Sequence, residues 1–317
     1  MGTVGKRDWS SIGKAETLRR LLSSNRIILI AFVMVSILFI SILLGASRQL
    51  SFSILLSHVP LFLVAVVLSL LFVTIKAIAL RTAFSAQGIH LSAWKSIDLF
   101  LTTTFIEITL IPSKVTSDIF KFFYLKHADK KQKVQGIILF RLATMSVFFA
   151  MLIGYLFSRS WLWGVAAIVL LSVLWLSLRG LVNRWSRRQG LKGLSYISHQ
   201  LNPFAFIILL TLFSLAIEIA RAGVLLSIFG VSMSWSFALA YVLAHVLGVL
   251  STLPFGIGVK DLSLGAFLSQ YLPAGDIVLF LILLRALGEL LAGTLGWALL
   301  ARHLPRLSRG QKKEGGE

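Results

Sequence analysis

At 317 residues, 57% of them apolar and with a mean hydropathy of +0.89, the chain is too hydrophobic for a soluble domain and has no polar stretch long enough for a separate catalytic one, which speaks against an enzyme. The formal charge of +19 arises from 31 Lys and Arg against 12 Asp and Glu. The bases gather in short loops between apolar runs, where the positive-inside bias accounts for them without nucleic acid. Cysteine is absent, excluding disulfides, thiolate chemistry and a Cys-based metal site.

Residues 1–26 are basic and carry Trp9, Ile12, Leu18, Leu21 and Leu22 at helical spacing, which fits either an amphipathic helix on the cytoplasmic surface or an ordinary charged flank. Residues 27–45 read as a first span, retained rather than cleaved. Residues 59–80 form a second, returning to Arg81 and Lys95. Residues 97–111 enter again but are short for a span and contain Thr102, Thr103, Thr104 and Glu107. After Pro112 the chain comes back through Asp118 and Lys121 to a basic run at 126–133, so a hairpin over 97–125 has both ends on the cytoplasmic side. Residues 134–157 are the third span.

Residues 161–178 return to Arg179, Arg184, Arg187 and Arg188, and 202–229 cross outward. Residues 236–252 lead into a second interruption and 259–271 lead away from it, a hairpin over 236–272 entered from outside. The last span, 277–301, ends in a basic tail, 302–317, expected to be disordered from Pro305 on.

The second interruption, TLPFGIGVKDLSL at 252–264, places Pro254, Gly256, Gly258, Lys260 and Asp261 inside one of the most apolar regions of the chain. A helix broken there survives in a bilayer only if it is buried in protein or lines a wet cavity. The first interruption, with Pro112, Lys114, Asp118 and Lys121, has a similar layout. Arg141 follows Pro112 by 29 residues and Arg285 follows Pro254 by 31. Matched interruptions in two halves are the sequence pointer to a transporter's binding site.

The expected fold is therefore an all-α polytopic membrane protein with six full spans plus two re-entrant or broken hairpins. The order span, span, hairpin, span occurs twice, as an inverted repeat of 27–157 and 158–301 with both termini inside. Eight full spans give the same loop sidedness, so the depth of the hairpins stays open.

Ionisable groups at membrane depth cost a few kcal/mol each on insertion scales and mark cavities or partners. Glu218 and Arg221 are three apart, and Arg285 and Glu289 four apart, so each pair shares a helical face. Such pairs either neutralise each other and lock helices or line a site. Lys260 is placed to hold a phosphate as a point charge, with Arg141 and Arg285 as bidentate partners. Alternatively, Lys260 pairs with an acid and Asp261 caps the helix that follows. His245 and Glu107 carry less: a lone intramembrane histidine is usually structural, and Glu107 has no mate in the other half. No Walker loop, clustered metal ligands or serine elbow occurs, so no cofactor or metal is expected.

LPFGIGVKDLSL resembles the signature of the flippase-like membrane family that includes the transmembrane region of lysylphosphatidylglycerol synthases, and PSKVTSDIFKFFYL resembles its earlier motif. The earlier motif departs from the usual pattern at Ser117 and Lys121, where glycine and arginine are common, and Asp261 stands where glutamate is. The resemblance implies a protein of the cytoplasmic membrane that moves or presents a lipid with a charged or sugar-bearing headgroup, either an anionic phospholipid or a polyprenyl-phosphate-linked glycan. It also implies a lipid synthase or glycosyltransferase as a separately encoded partner. The expected headgroup path runs between Lys114, Asp118 and Lys121 on one side and Lys260 and Asp261 on the other, with Arg141, Arg221 and Arg285 holding the charge. A small-anion transporter and a non-transporting partner of an envelope enzyme are the competing readings.

Overall fold

The computed structural model describes residues 57–109, 113–125, 128–160, 162, 201–251 and 258–301, all within the unit Leu50–Glu317. Among the described residues there are eight α-helices and no strand. They are α1 (Val59–Ser85), α2 (Ala93–Thr109), α3 (Ser113–Tyr124), α4 (Lys130–Arg159), α5 (Leu201–Ser227), α6 (Trp235–Leu250), α7 (Val259–Leu268) and α8 (Ala274–Arg285). α8 continues through a π-helical turn at Ala286–Leu290 as far as Ala301.

Four of these, α1, α4, α5 and the extended α8, are long and apolar enough to cross a bilayer. They correspond to the spans expected at 59–80, 134–157, 202–229 and 277–301. The spans expected at 27–45 and 161–178 lie outside the described residues apart from Leu162, as do 1–26 and 302–317. Their outward faces suit lipid: Leu63, Val67, Leu70, Leu71 and Ile78 form an exposed stripe on α1, and Phe206, Leu209, Leu212 and Phe213 one on α5.

The other four helices are short. The longest, α2, has 17 residues, about 25 Å at 1.5 Å per residue against about 30 Å of hydrocarbon. They come in two pairs, α2 packed on α3 and α6 packed on α7. The breaks between them, with Pro112, Pro254 and Gly256, lie outside the described residues.

α1 and α5 form the most extensive helix pair, and they run antiparallel. Ala65 near the start of α1 clusters with Ala222, Leu225 and Leu226 near the end of α5, whereas Leu80, Ala83 and Phe84 cluster with Ile207 near its start. Lipid tails are as apolar as these side chains, so close packing and interhelical polar contacts hold the seam, not the hydrophobic effect. α8 crosses α2 closely as well. A Cβ on Gly296 would sit 2.0 Å from the Leu101 carbonyl oxygen, and one on Gly293 would be 2.4 Å from Ile108 Cδ1.

The two halves share their helix ends. α1 ends at Ser85 and turns at Gly88, with φ +76°; α5 ends at Ser227 and turns at Gly230, with φ +74°. Those conformations favour glycine because it has no Cβ to clash. α2 is capped by Ser92, whose Oγ accepts from Lys95 N at 3.3 Å, and α6 by Ser234, whose Oγ accepts from Phe237 N at 3.2 Å. Each of these correspondences falls 142 positions apart, as do Pro112 and Pro254.

Candidate functional site

Among the described residues, two networks of charged side chains stand out, one centred in each half of the chain. In the second half, α5 supplies Glu218 and Arg221, 5% and 2% exposed. Glu218 Oε1 is the focus of its group: Lys260 Nζ donates to it at 3.0 Å, the Tyr241 hydroxyl donates at 2.9 Å, and His245 Nδ1 lies at 3.6 Å. Lys260 Nζ also donates to the Tyr241 oxygen at 3.1 Å and lies 3.4 Å from His245 Nδ1. Its three N–H donors thus have three partners.

Arg221 approaches Glu218 only to 4.0 Å. Its Nη1 donates to Ser69 Oγ across the α1–α5 seam at 3.4 Å, and its Nε is buried without a hydrogen bond. The guanidinium lies against the π-helical turn, where a Cβ on Gly288 would meet Nη2 at 2.9 Å. Single π turns inside α-helices recur at functional sites, and this one carries Glu289.

Asp261 is next to Lys260 in sequence but turns to α8. Arg285 Nε donates to Asp261 Oδ1 and Nη2 to Oδ2, both at 3.0 Å, a two-point fork. Arg285 Nη1 donates to Glu289 Oε1 at 2.9 Å. Asp261 Oδ2 also accepts from Gly258 N at 3.0 Å, closing the start of α7 where Gly258 has φ +86°.

In the first half, Arg141 on α4 makes the same fork to Asp118 on α3, with Nε to Oδ2 at 2.9 Å and Nη2 to Oδ1 at 3.1 Å. Arg141 Nη2 also donates to Glu107 Oε1 at 3.3 Å and to Ser117 Oγ at 3.2 Å. Ser117 in turn donates to Glu107, and Lys121 Nζ donates to Asp118 Oδ1 at 2.8 Å. At the ends of α2 and α3 away from the break, the Tyr124 hydroxyl donates to Asp98 Oδ2 at 2.7 Å. α4 touches the second group where the Phe148 ring stacks on His245 with centroids 5.1 Å apart.

With acids ionised and bases protonated, each group is neutral: Glu107 and Asp118 against Lys121 and Arg141, and Glu218, Asp261 and Glu289 against Arg221, Lys260 and Arg285. Breaking the buried Lys260–Glu218 pair leaves a charge stranded at low dielectric, so this pair ties α7 firmly to α5.

Of the residues the sequence marks, Asp118, Lys121 and Arg141 meet in one group, and Glu218, Arg221, Lys260, Asp261, Arg285 and Glu289 in the other. Gly258 holds the positive-φ turn. The side chain of Lys114 lies outside the described residues, as do Pro254 and Gly256. Lys260 does pair with an acid, and Asp261 does cap α7, the blander of the two arrangements open in the sequence. Glu107 and His245, given less weight there, are full members of the networks. Tyr241 and Ser117, as members of the networks, were missed. For Tyr241 the apolar sequence of α6 carries no signal.

Beside the α6–α7 pair, Tyr155 of α4, Leu239, Leu243 and Ala244 of α6, and Ser263 and Phe267 of α7 line a cavity of about 430 Å³. It is mostly apolar and within the usual size range of ligand pockets. A family model described as the lysylphosphatidylglycerol synthase TM region matches residues 12–296. No curated protein matches the chain significantly.

Proposed function

The chain belongs to the lysylphosphatidylglycerol synthase transmembrane-region family, and on that premise we propose that it is a lipid translocase of the cytoplasmic membrane. Its substrate is a lipid with a charged or sugar-bearing headgroup, an anionic phospholipid or a polyprenyl-phosphate-linked glycan. The observation that carries this reading is the repetition of one device. Asp118–Arg141 and Asp261–Arg285 are the same fork, 23 and 24 residues apart, each tying the short helix after a break to the following span.

In this reading the α2–α3 and α6–α7 pairs are re-entrant hairpins of an inverted repeat with six full spans and both termini inside. Shared caps at a constant 142-residue offset and the antiparallel α1–α5 seam support it. The headgroup passes between the two polar groups while its chains stay in lipid or in the apolar cavity between α4 and the second hairpin. Exchange of partners within the forks, as the hairpins move, opens donors to the headgroup. Glu218, Arg221, Lys260 and Glu289 then act with the forks as headgroup-facing residues, and Lys114 and Lys121 on the cytoplasmic side.

The test is transbilayer movement of fluorescent phosphatidylglycerol in vesicles reconstituted with wild type, with Lys260→Ala and with Arg285→Ala. Movement by wild type and its loss in both variants are expected; equal rates in all three would overturn the site. The family's description as part of a synthase favours a second reading, a non-transporting membrane partner of a lipid synthase or glycosyltransferase. It requires that pure protein move no lipid and that a stable complex with such an enzyme be isolated.

A further inference from the structure

We propose that Lys76 is a phosphate-binding group at membrane depth, receiving the phosphate of the anionic headgroup between the two neutral networks. This deepens the translocase reading and rests on it for the source of the phosphate, though not for the site.

Lys76 lies seven residues from Ser69 and from Ala83 and four from Leu80, all buried, so it stands on the face of α1 that packs on α5. It is partly buried, and among the described residues its Nζ meets no carboxylate; its contact is the face of Phe72, 5.8 Å from the ring centroid. Phe72 precedes it by one turn. The ammonium therefore points back along α1 into the membrane, away from Arg81 and the nearer helix end. A lysine that merely snorkelled would extend the other way, toward that end.

Lys76 lies within electrostatic range of both networks, favourably toward Glu218 of the second half and unfavourably toward Arg141 of the first. Its own charge reaches His245. It thus sits electrostatically between the groups, while each group already balances itself.

The internal repeat bears on why Lys76 meets no acid among the described residues. At the 142-residue offset its counterpart is Glu218, which has Lys260 as partner. At the offset of 143 that relates Asp118 to Asp261, the counterpart of Lys260 is Ser117, which is uncharged and bound to Glu107. The first half therefore has a cation where the second has an anion, and the acids of its own short helices, Glu107 and Asp118, are engaged by Ser117, Lys121 and Arg141. A cation inside a span with no acid in contact among the described residues is costly. A phosphate is the complement that a lysine binds as a point charge.

The experiment compares wild type with Lys76→Gln, Lys76→Met and Lys76→Arg, full length and in mild detergent. Retention of phosphatidylglycerol and phosphatidylcholine is read by native mass spectrometry, and inorganic phosphate is tested for a shift in melting temperature. Loss of phosphatidylglycerol by about tenfold in Gln and Met, the worth of one charge-assisted hydrogen bond, with Arg near wild type and phosphatidylcholine unchanged, is expected. Equal phosphatidylglycerol retention in all four proteins overturns the proposal. If wild type retains no lipid but inorganic phosphate raises its melting temperature, and not that of the Gln and Met variants, Lys76 stands as an anion site and the lipid reading falls. If neither probe depends on Lys76, the proposal is wrong. The apolar Met variant, which relieves the cost of a buried charge, keeps the comparison valid should Gln fail to fold.

Discussion

Arg285 grips Asp261 with two parallel hydrogen bonds of 3.0 Å while the same carboxylate accepts from Gly258 N, so one acid fixes both the start of α7 and its attachment to α8. Lysine cannot reproduce that fork. Arg285→Lys is expected to keep the charge but lose the geometry, lowering the melting temperature by several degrees and slowing lipid movement. Unchanged values for both would show that only charge matters at this position.

Lys260 and Glu218 test whether a buried pair is more than the sum of its parts. Removing one partner of such a pair typically costs about 3–5 kcal/mol, because the other charge is stranded. Glu218→Gln and Lys260→Met should each destabilise the protein by about that much, and the double variant should recover most of it. Additive losses measured by reversible unfolding would refute strong coupling.

Gly296 and Gly154 should respond oppositely to alanine. At Gly296 the new Cβ would meet the Leu101 backbone oxygen at 2.0 Å, and neither helix can yield without opening the α2–α8 crossing. At Gly154 nothing among the described residues lies within 4 Å of the new Cβ, and alanine is the better helix former by about 0.5–1 kcal/mol. Gly296→Ala should therefore cut folded yield and Gly154→Ala should leave it equal or raise it, as size-exclusion profiles would show.

Gly258 combines φ +86° with ψ −59°, and among the described residues nothing lies within 4 Å of a Cβ built there, so the expected loss on substitution comes from the backbone. Gly258→Ala should cost about 1–3 kcal/mol. An unchanged melting temperature in thermal unfolding would show that this turn carries no strain for a side chain.

The inverted arrangement is testable because the chain has no native cysteine. Ser92, at the start of α2, and Ser269, just after α7, are both exposed. Single cysteines there should react with an impermeant reagent from the cytoplasmic and the outer side respectively. Reaction of both from one side would eliminate the inverted repeat.

The sequence by itself determined that this is a multi-span helical membrane protein, where four of its spans run, that two pairs of shorter helices lie between them, and that the spacing of Asp118 and Arg141 recurs in Asp261 and Arg285. Those are local properties: apolar length, loop charge and residue spacing are all read along the chain. The tertiary structure decided the partners. Glu218, three residues from Arg221 in sequence, is bound instead by Lys260, 42 residues away, because α7 brings its ammonium to the face of α5 while Arg221 turns toward Ser69 and Gly288. Glu107 found its place through Ser117 and Arg141, which no spacing rule connects. The isolation of Lys76 emerged only once the helices were packed, since whether a charge has a partner depends on distances between segments far apart in sequence.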